Sequence, residues 1–358
     1  MDLGIIGFQR SGKTTIFNAV TKGNAQTGAY GAGVQPNIGV VKVPDARLDA
    51  LAKLFEPKKF TLADIRYIDF PGEAFSDGQG PGAQFLAQLA RCDALIHVVR
   101  AFEDETVPHP QVTIDAARDI AAMELELTFA DAAFIEKRLE RIESSMRSVK
   151  MAEREKALLQ RLKAGLESDK PLRAQEISAE EARMLVNYQF LTDKPLLIVM
   201  NIADDDAARA SEIEAEFDAK FSSAKTDIAA IAGKIEQELA QMSDEDAAEF
   251  RNDLGIKEPG LARMIRMSYA LTGLISFFTV GPDECRAWNV ASGEMAPGAA
   301  GKIHTDLERG FIRAEVVGCD DLIAANGYPE AKKRGQVRQE GKTYVVQDGD
   351  CLNILFNV

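Results

Sequence analysis

The chain has 358 residues, 46% hydrophobic and 27% charged, the balance of a globular protein whose length accommodates two or three domains. Its net charge of −14 excludes coating nucleic acid through a global positive field and leaves only local basic patches for that purpose. No apolar run nears the ~20 residues that span a bilayer. The opening Met1-Asp2-Leu3-Gly4-Ile5 carries no basic leader, and Cys92, Cys285, Cys319 and Cys351 are too scattered for a zinc ribbon, so a cytoplasmic protein with no membrane attachment is expected.

Leu3 to Gly7 reads as a short buried strand and Thr15 to Val20 as the start of a helix. Between them, Gly7-Phe8-Gln9-Arg10-Ser11-Gly12-Lys13-Thr14 matches the P-loop pattern G-x-x-x-x-G-K-[ST] without a gap. Glycines let such a loop bend until its N–H groups converge on phosphate oxygens at the positive end of the next helix. Nucleotide binding is therefore expected at Gln9, Arg10, Ser11, Gly12, Lys13, Thr14 and Thr15. Lys13 reaches the β and γ phosphates as a catalytic group, and Thr14 offers its hydroxyl to Mg²⁺, the expected cofactor.

Gly39 to Val43 and Ala63 to Asp69 are further strand candidates. The second ends in Asp69-Phe70-Pro71-Gly72, where an aspartate is placed to hold Mg²⁺ and Gly72 to turn its N–H towards a γ-phosphate as a second catalytic group. Gly78, Gly80 and Gly82 suit a nucleotide-sensing loop. A helical stretch, Gly82 to Arg91, leads to the strand Ala94 to Val99. Strand and helix alternate as in an α/β domain with a mostly parallel sheet.

From about Asp115 to Leu191 glycine nearly vanishes. Ile135, Leu139, Ile142, Met146 and Val149, then Leu159, Leu162 and Leu166, recur at helical a/d spacing, which predicts an antiparallel hairpin with a break near Val149 to Glu153. A layer packed on the main domain and a projecting arm fit that pattern equally. Leu196 to Asn201 returns the chain to the α/β pattern, making the hairpin an insertion. In Asn201-Ile202-Ala203-Asp204, Asp204 is placed to accept from guanine N1–H and its exocyclic amine, although Ile202 stands where guanine readers carry lysine. Ser223-Ala224-Lys225 imitates a base-contacting loop but precedes a strand; Ala232-Gly233-Lys234, at the end of the strand Asp227 to Ala232, is the better candidate. Short β segments then follow at Ile275 to Val280, Cys285 to Val290, Phe311 to Val317, Thr343 to Val346 and Leu352 to Val358. Lys332-Lys333-Arg334, with Arg338 and Lys342 near, is the one local cationic run, a solvated face or an RNA contact.

Further segments carry a resemblance: Gln35-Pro36-Asn37, Pro44-Asp45-Ala46-Arg47-Leu48-Asp49, His97-Val98-Val99-Arg100, Glu258-Pro259-Gly260-Leu261, and above all Ala300-Gly301-Lys302-Ile303-His304-Thr305-Asp306 through Ala314. Over essentially its whole length the chain resembles the YchF-type, Obg-like ATPases, a branch of the translation-factor P-loop GTPases. The resemblance implies an α/β P-loop G domain (1–114 and 192–274), an inserted helical hairpin (115–191) and a C-terminal TGS domain of β-grasp fold (275–358). It also implies slow hydrolysis of ATP or GTP and a switch role in translation or stress control. Association with the ribosome, at the large subunit with rRNA contact through the TGS domain or helical arm, is implied for a monomer. His109 falls on a histidine with a part in hydrolysis. Three departures stand out: Gly33 where a switch threonine is expected, Glu73 after the D-x-x-G, and the P-loop filling Phe8-Gln9-Arg10-Ser11. Chemistry at Asp204 points to GTP and likeness to ATP, so both are expected to bind. A nucleotide-binding interaction module with negligible turnover is the alternative.

Overall fold

Near-continuous apolar strands bury themselves at the centre of a covered sheet, and the computed structural model shows this for residues 1–23, 36–70, 75, 82–109, 112–144, 149–256 and 258–357, the residues described. Strand β1 (Asp2–Ile6) is buried from Leu3 onward and leads through the P-loop into α1 (Lys13–Thr21). Next come β2 (Asn37–Val43), α2 (Ala46–Phe55), β3 (Lys59–Thr61), β4 (Ala63–Asp69), α3 (Ala83–Leu89) and β5 (Ala94–Ala101). Helices α4 (Ala116–Ser144), α5 (Val149–Leu166) and α6 (Ala179–Leu185) intervene before β6 (Leu196–Ile202), α7 (Ala210–Phe221), β7 (Thr226–Ile231), α8 (Gly233–Leu239), α9 (Asp244–Asp253) and α10 (Gly260–Leu271). The first sheet has the order β2-β4-β1-β5-β6-β7, with β4, β1, β5, β6 and β7 paired in parallel.

The chain forms two compact units, Met1–Val41 with Arg66–Leu271, and Lys42–Ile65 with Thr272–Val358. The excursion 42–65, given by sequence to the nucleotide-binding domain, therefore belongs with the C-terminal unit. Strand pairing explains it: β3 pairs in parallel with β9 (Glu284–Ala291), Phe60 opposite Cys285. Arg47, on α2, bonds Asp348 at 2.7 Å and lies over the Phe278 ring. A three-residue strand gives no periodicity to read.

Within the first unit, α4 serves two cores. Ile120, Met123 and Leu127 in its first half join the sheet's core with Leu95, Val99 and Ile198. Ile135, Leu139 and Ile142 further along meet Leu158, Leu159, Leu162 and Leu166 of α5 in a separate cluster. From Glu136–Lys163 to Glu143–Lys156 the ion pairs climb one helix while descending the other, so the hairpin is antiparallel. Residues 149–153, where the sequence predicts the break, are helical at the start of α5; residues 145–148, with Met146, lie outside the described residues. At the hairpin's root, buried Asp131 accepts from Leu191 N–H (3.0 Å), Thr192 N–H (2.7 Å) and the Thr192 hydroxyl (2.7 Å). The first half of α4 thus packs on the sheet and its second half on α5.

The second unit adds β8 (Leu274–Val280), β9, α11 (Ala296–Ile303), α12 (Thr305–Arg309), β10 (Phe311–Gly318), α13 (Cys319–Ala324), α14 (Tyr328–Lys333), β11 (Arg338–Glu340) and β12 (Asp350–Phe356). Its mixed sheet has the order β11-β10-β12-β8-β9-β3, consistent with a β-grasp. Phe277, Val290, Ala299, Phe311 and Val316 form its core. Thr343 to Val346, expected as a strand, makes only a single bridge, Val345 to Met295. Tyr344 instead spends its hydroxyl on Asp350, at 2.7 Å.

Candidate nucleotide site

The P-loop bends through three residues with positive φ: Gly7 (151°), Arg10 (62°) and Gly12 (90°). At Gly7 a Cβ would strike the Val98 carbonyl, and at Gly12 the Asn201 amide, so both positions require glycine for space as well as conformation. Lys13 is 6% exposed, and its Nζ donates to the Phe8 carbonyl at 2.8 Å across the loop. Burial pushes its ammonium down to about 8, against the opposing pull of the Asp69 charge. Ser11 is buried, Gln9 and Thr15 are half-buried, and Thr15 lies in the first turn of α1.

Asp69, fully buried at the end of β4, accepts from the Thr14 hydroxyl at 3.0 Å and from Asn37 Nδ2 at 3.3 Å. A hydroxyl and a buried carboxylate that converge beside a lysine are the hard oxygen donors Mg²⁺ takes, so these residues fit that ion. Asn37 was visible in sequence only as part of Gln35-Pro36-Asn37; its polar side chain at the first position of a strand was the available signal. Gly72, Gly33 and Glu73 lie outside the described residues.

Asn201 joins the loops. Its Nδ2 donates to the Ser11 carbonyl at 3.0 Å, and its Oδ1 accepts from Gly233 N–H at 3.1 Å. P-loop, β6 end and β7 end are thereby fastened by one buried side chain. Ala232 and Gly233 follow β7, whereas Ser223-Ala224-Lys225 precedes it, with Lys225 paired to Asp193 at 2.9 Å. Asp204 opens the turn after β6 and pairs with Lys234 Nζ at 3.4 Å.

His109 is brought near the P-loop through its neighbour, since Arg10 Nη1 donates to the Pro108 carbonyl at 2.8 Å. Its own Nε2 donates to Asp119 Oδ2 at 3.0 Å, both side chains being 4% exposed. Arg100 is buried and spent on the same loop, donating to Phe102 O (3.1 Å), Val107 O (2.6 Å) and Asp104 O (3.3 Å). His97, on β5, is a feature the sequence reading missed. It is buried, its Nε2 makes no hydrogen bond among the described residues, and burial with the Lys13 charge pushes it down to about 3. The cationic run pairs with carboxylates: Lys332 with Glu315 (3.0 Å), and Lys333 (3.3 Å) and Arg334 (3.6 Å) with Glu330. Among the described residues no helix is long and apolar enough to cross a membrane.

A parallel sheet whose first strand feeds a glycine-bent loop, with lysine, threonine and a strand-end aspartate converging there, defines the P-loop nucleoside triphosphatase fold of the GTPase type. Residues 2–109 match the family described as 50S ribosome-binding GTPase, and residues 274–357 match a YchF GTPase C-terminal family described only as a protein of unknown function. The chain is 40% identical to the ribosome-binding ATPase YchF of Bacillus subtilis (strain 168) and 38% identical to that of Escherichia coli O157:H7, each over 99% of both chains. It superposes on the YchF GTPase of Schizosaccharomyces pombe with a TM-score of 0.86 at 30% identity, covering 99% of this chain and 97% of the other. The chain belongs to the YchF family.

Proposed function

We propose that the chain binds the Mg²⁺ complexes of ATP and GTP, hydrolyses them at the γ-phosphate, and uses its nucleotide state to control a ribosome-associated task in translation or stress response. The observation that carries this reading is the meeting of Lys13, Thr14, Asp69 and Asn201, from three separate stretches of the chain, around one glycine-bent loop. Gln9 to Thr15 hold the phosphates; Asn201, Asp204, Ala232 and Gly233 face the base. Thr14 and Asp69 hold Mg²⁺, which neutralises phosphate charge. Lys13 supplies a fixed positive charge, Gly72 an N–H for the γ-phosphate, and His109, oriented by Asp119, orders the attacking water. Phosphoryl transfer asks for positioning and electrostatics rather than covalent help. Relatives spanning the same length are named ribosome-binding and residues 2–109 match a family described as 50S ribosome-binding, which supports a task at the large ribosomal subunit; a monomer working in the cytoplasm, docking through the C-terminal unit or helical hairpin, completes the proposal.

Phosphate release from Mg·ATP and Mg·GTP tests the enzyme claim: Lys13→Ala is expected to lower it roughly a hundredfold, and unchanged release refutes it. Co-sedimentation with large ribosomal subunits under each nucleotide tests the partner. Gly33, standing where a switch threonine is expected, favours a second reading, a nucleotide-dependent interaction module with negligible turnover. That reading requires binding without release above the Lys13→Ala level.

A further inference from the structure

The base end of the site differs from a guanine reader in one respect. Ile202, at the position where a lysine stem covers the base, is 3% exposed and packs into the sheet's core with Met200 and Ile228. It is not free to lie over a ligand. A lysine nevertheless arrives from the other loop: Lys234, the second residue of α8, sets its Nζ 3.4 Å from Asp204 Oδ2. The two loops are held in that relation by Asn201, which accepts from Gly233 N–H at 3.1 Å. The Lys234 and Asp204 side chains are 73% and 42% exposed, open to a ligand yet engaged with each other.

We propose that Asp204 and Lys234 read the purine edge together, as one donor–acceptor pair, and that Lys234 moves the site from guanine selectivity towards acceptance of adenine. This rests on the nucleotide-binding reading above. Guanine presents two neighbouring donors, N1–H and the 2-amine, which a lone carboxylate accepts with both oxygens. Adenine presents an acceptor at N1 beside the donor 6-amine, and a lone carboxylate repels that N1 lone pair. With Lys234 alongside, the ammonium donates to adenine N1 while an Asp204 oxygen accepts from the 6-amine. The same ammonium competes with guanine for Asp204. Both purines are then tolerated and neither is strongly favoured.

Calorimetry with non-hydrolysable ATP and GTP analogues and Mg²⁺, on wild type, Lys234→Met and Lys234→Ala, separates the lysine's charge from its stem. Methionine keeps an apolar stem and removes the charge. The GTP-to-ATP affinity ratio is expected to rise roughly fivefold in both variants, as suits a largely exposed ion pair. An unchanged ratio in Lys234→Met, or a change confined to Lys234→Ala, overturns the proposal. Wild type that binds both analogues while the ratio stays fixed defeats the pair alone; wild type that binds neither defeats the nucleotide reading and the pair with it.

Discussion

At the phosphate end of the first unit, Lys13, Asp69 and Asn201 are each less than a tenth exposed; Lys13 bonds across its own loop, and Asp69 and Asn201 bond groups on distant parts of the chain. On the second unit, Lys332, Lys333, Arg334 and Arg338 also have partners, but their side chains are 48–75% exposed. Both regions are rich in polar contacts. Burial separates them, because a donor or acceptor stripped of its partner costs most where water cannot replace it. The difference assigns the buried bonds to holding loops in register and leaves the exposed pairs free to exchange partners.

Asn201→Ala should sharpen that contrast most. It strands the Ser11 carbonyl and the Gly233 N–H together, and urea denaturation is expected to show a loss of about 3 kcal/mol. Arg100→Ala, which releases three loop carbonyls, should cost about 2 kcal/mol and make the segment 102–109 exchange its amides faster.

The third prediction concerns pH. Lys13, held down to about 8, sheds its proton as pH rises through that value, and only the ammonium attracts phosphate. Affinity for Mg·GTP analogues should therefore fall roughly tenfold between pH 7 and pH 9. Calorimetry across that range should give a much flatter profile for Lys13→Arg, which stays charged. A steep fall persisting in Lys13→Arg would locate the titration elsewhere.

The smallest effect belongs to the second unit. Lys333→Ala should alter stability by less than about 0.5 kcal/mol, since it removes one exposed pair on a helix face. A loss as large as that of Arg100→Ala would erase the distinction between the two regions.

The parts legible in sequence were those with a local signature. The P-loop could be read because its glycines sit at positive φ in a fixed spacing, and the strand Ala63 to Asp69 because its apolar residues end on the turn signal Asp69-Phe70-Pro71-Gly72. The seam from Ile135 to Ile142 was readable for the same reason. What escaped depended on contacts between distant residues. β3 is three residues long and exists by pairing with β9, more than two hundred positions later. Arg100 carries no sign, as a letter, that its guanidinium will hold the carbonyls of the loop behind it. His97 looked like one residue of a buried strand, and only the fold places its ring within reach of the Lys13 charge.

The excursion 42–65 also bears on how the molecule is made. A ribosome releases the chain in one direction, and α2 and β3 emerge long before the β9 edge and Asp348 they require, which lie beyond residue 272. At ordinary rates of synthesis the intervening stretch takes roughly 10–40 s. During that interval the early segment waits without its final neighbours. The second unit closes only near the end of translation, so a nascent chain stalled before that point carries a phosphate-binding loop and an unfinished partner sheet.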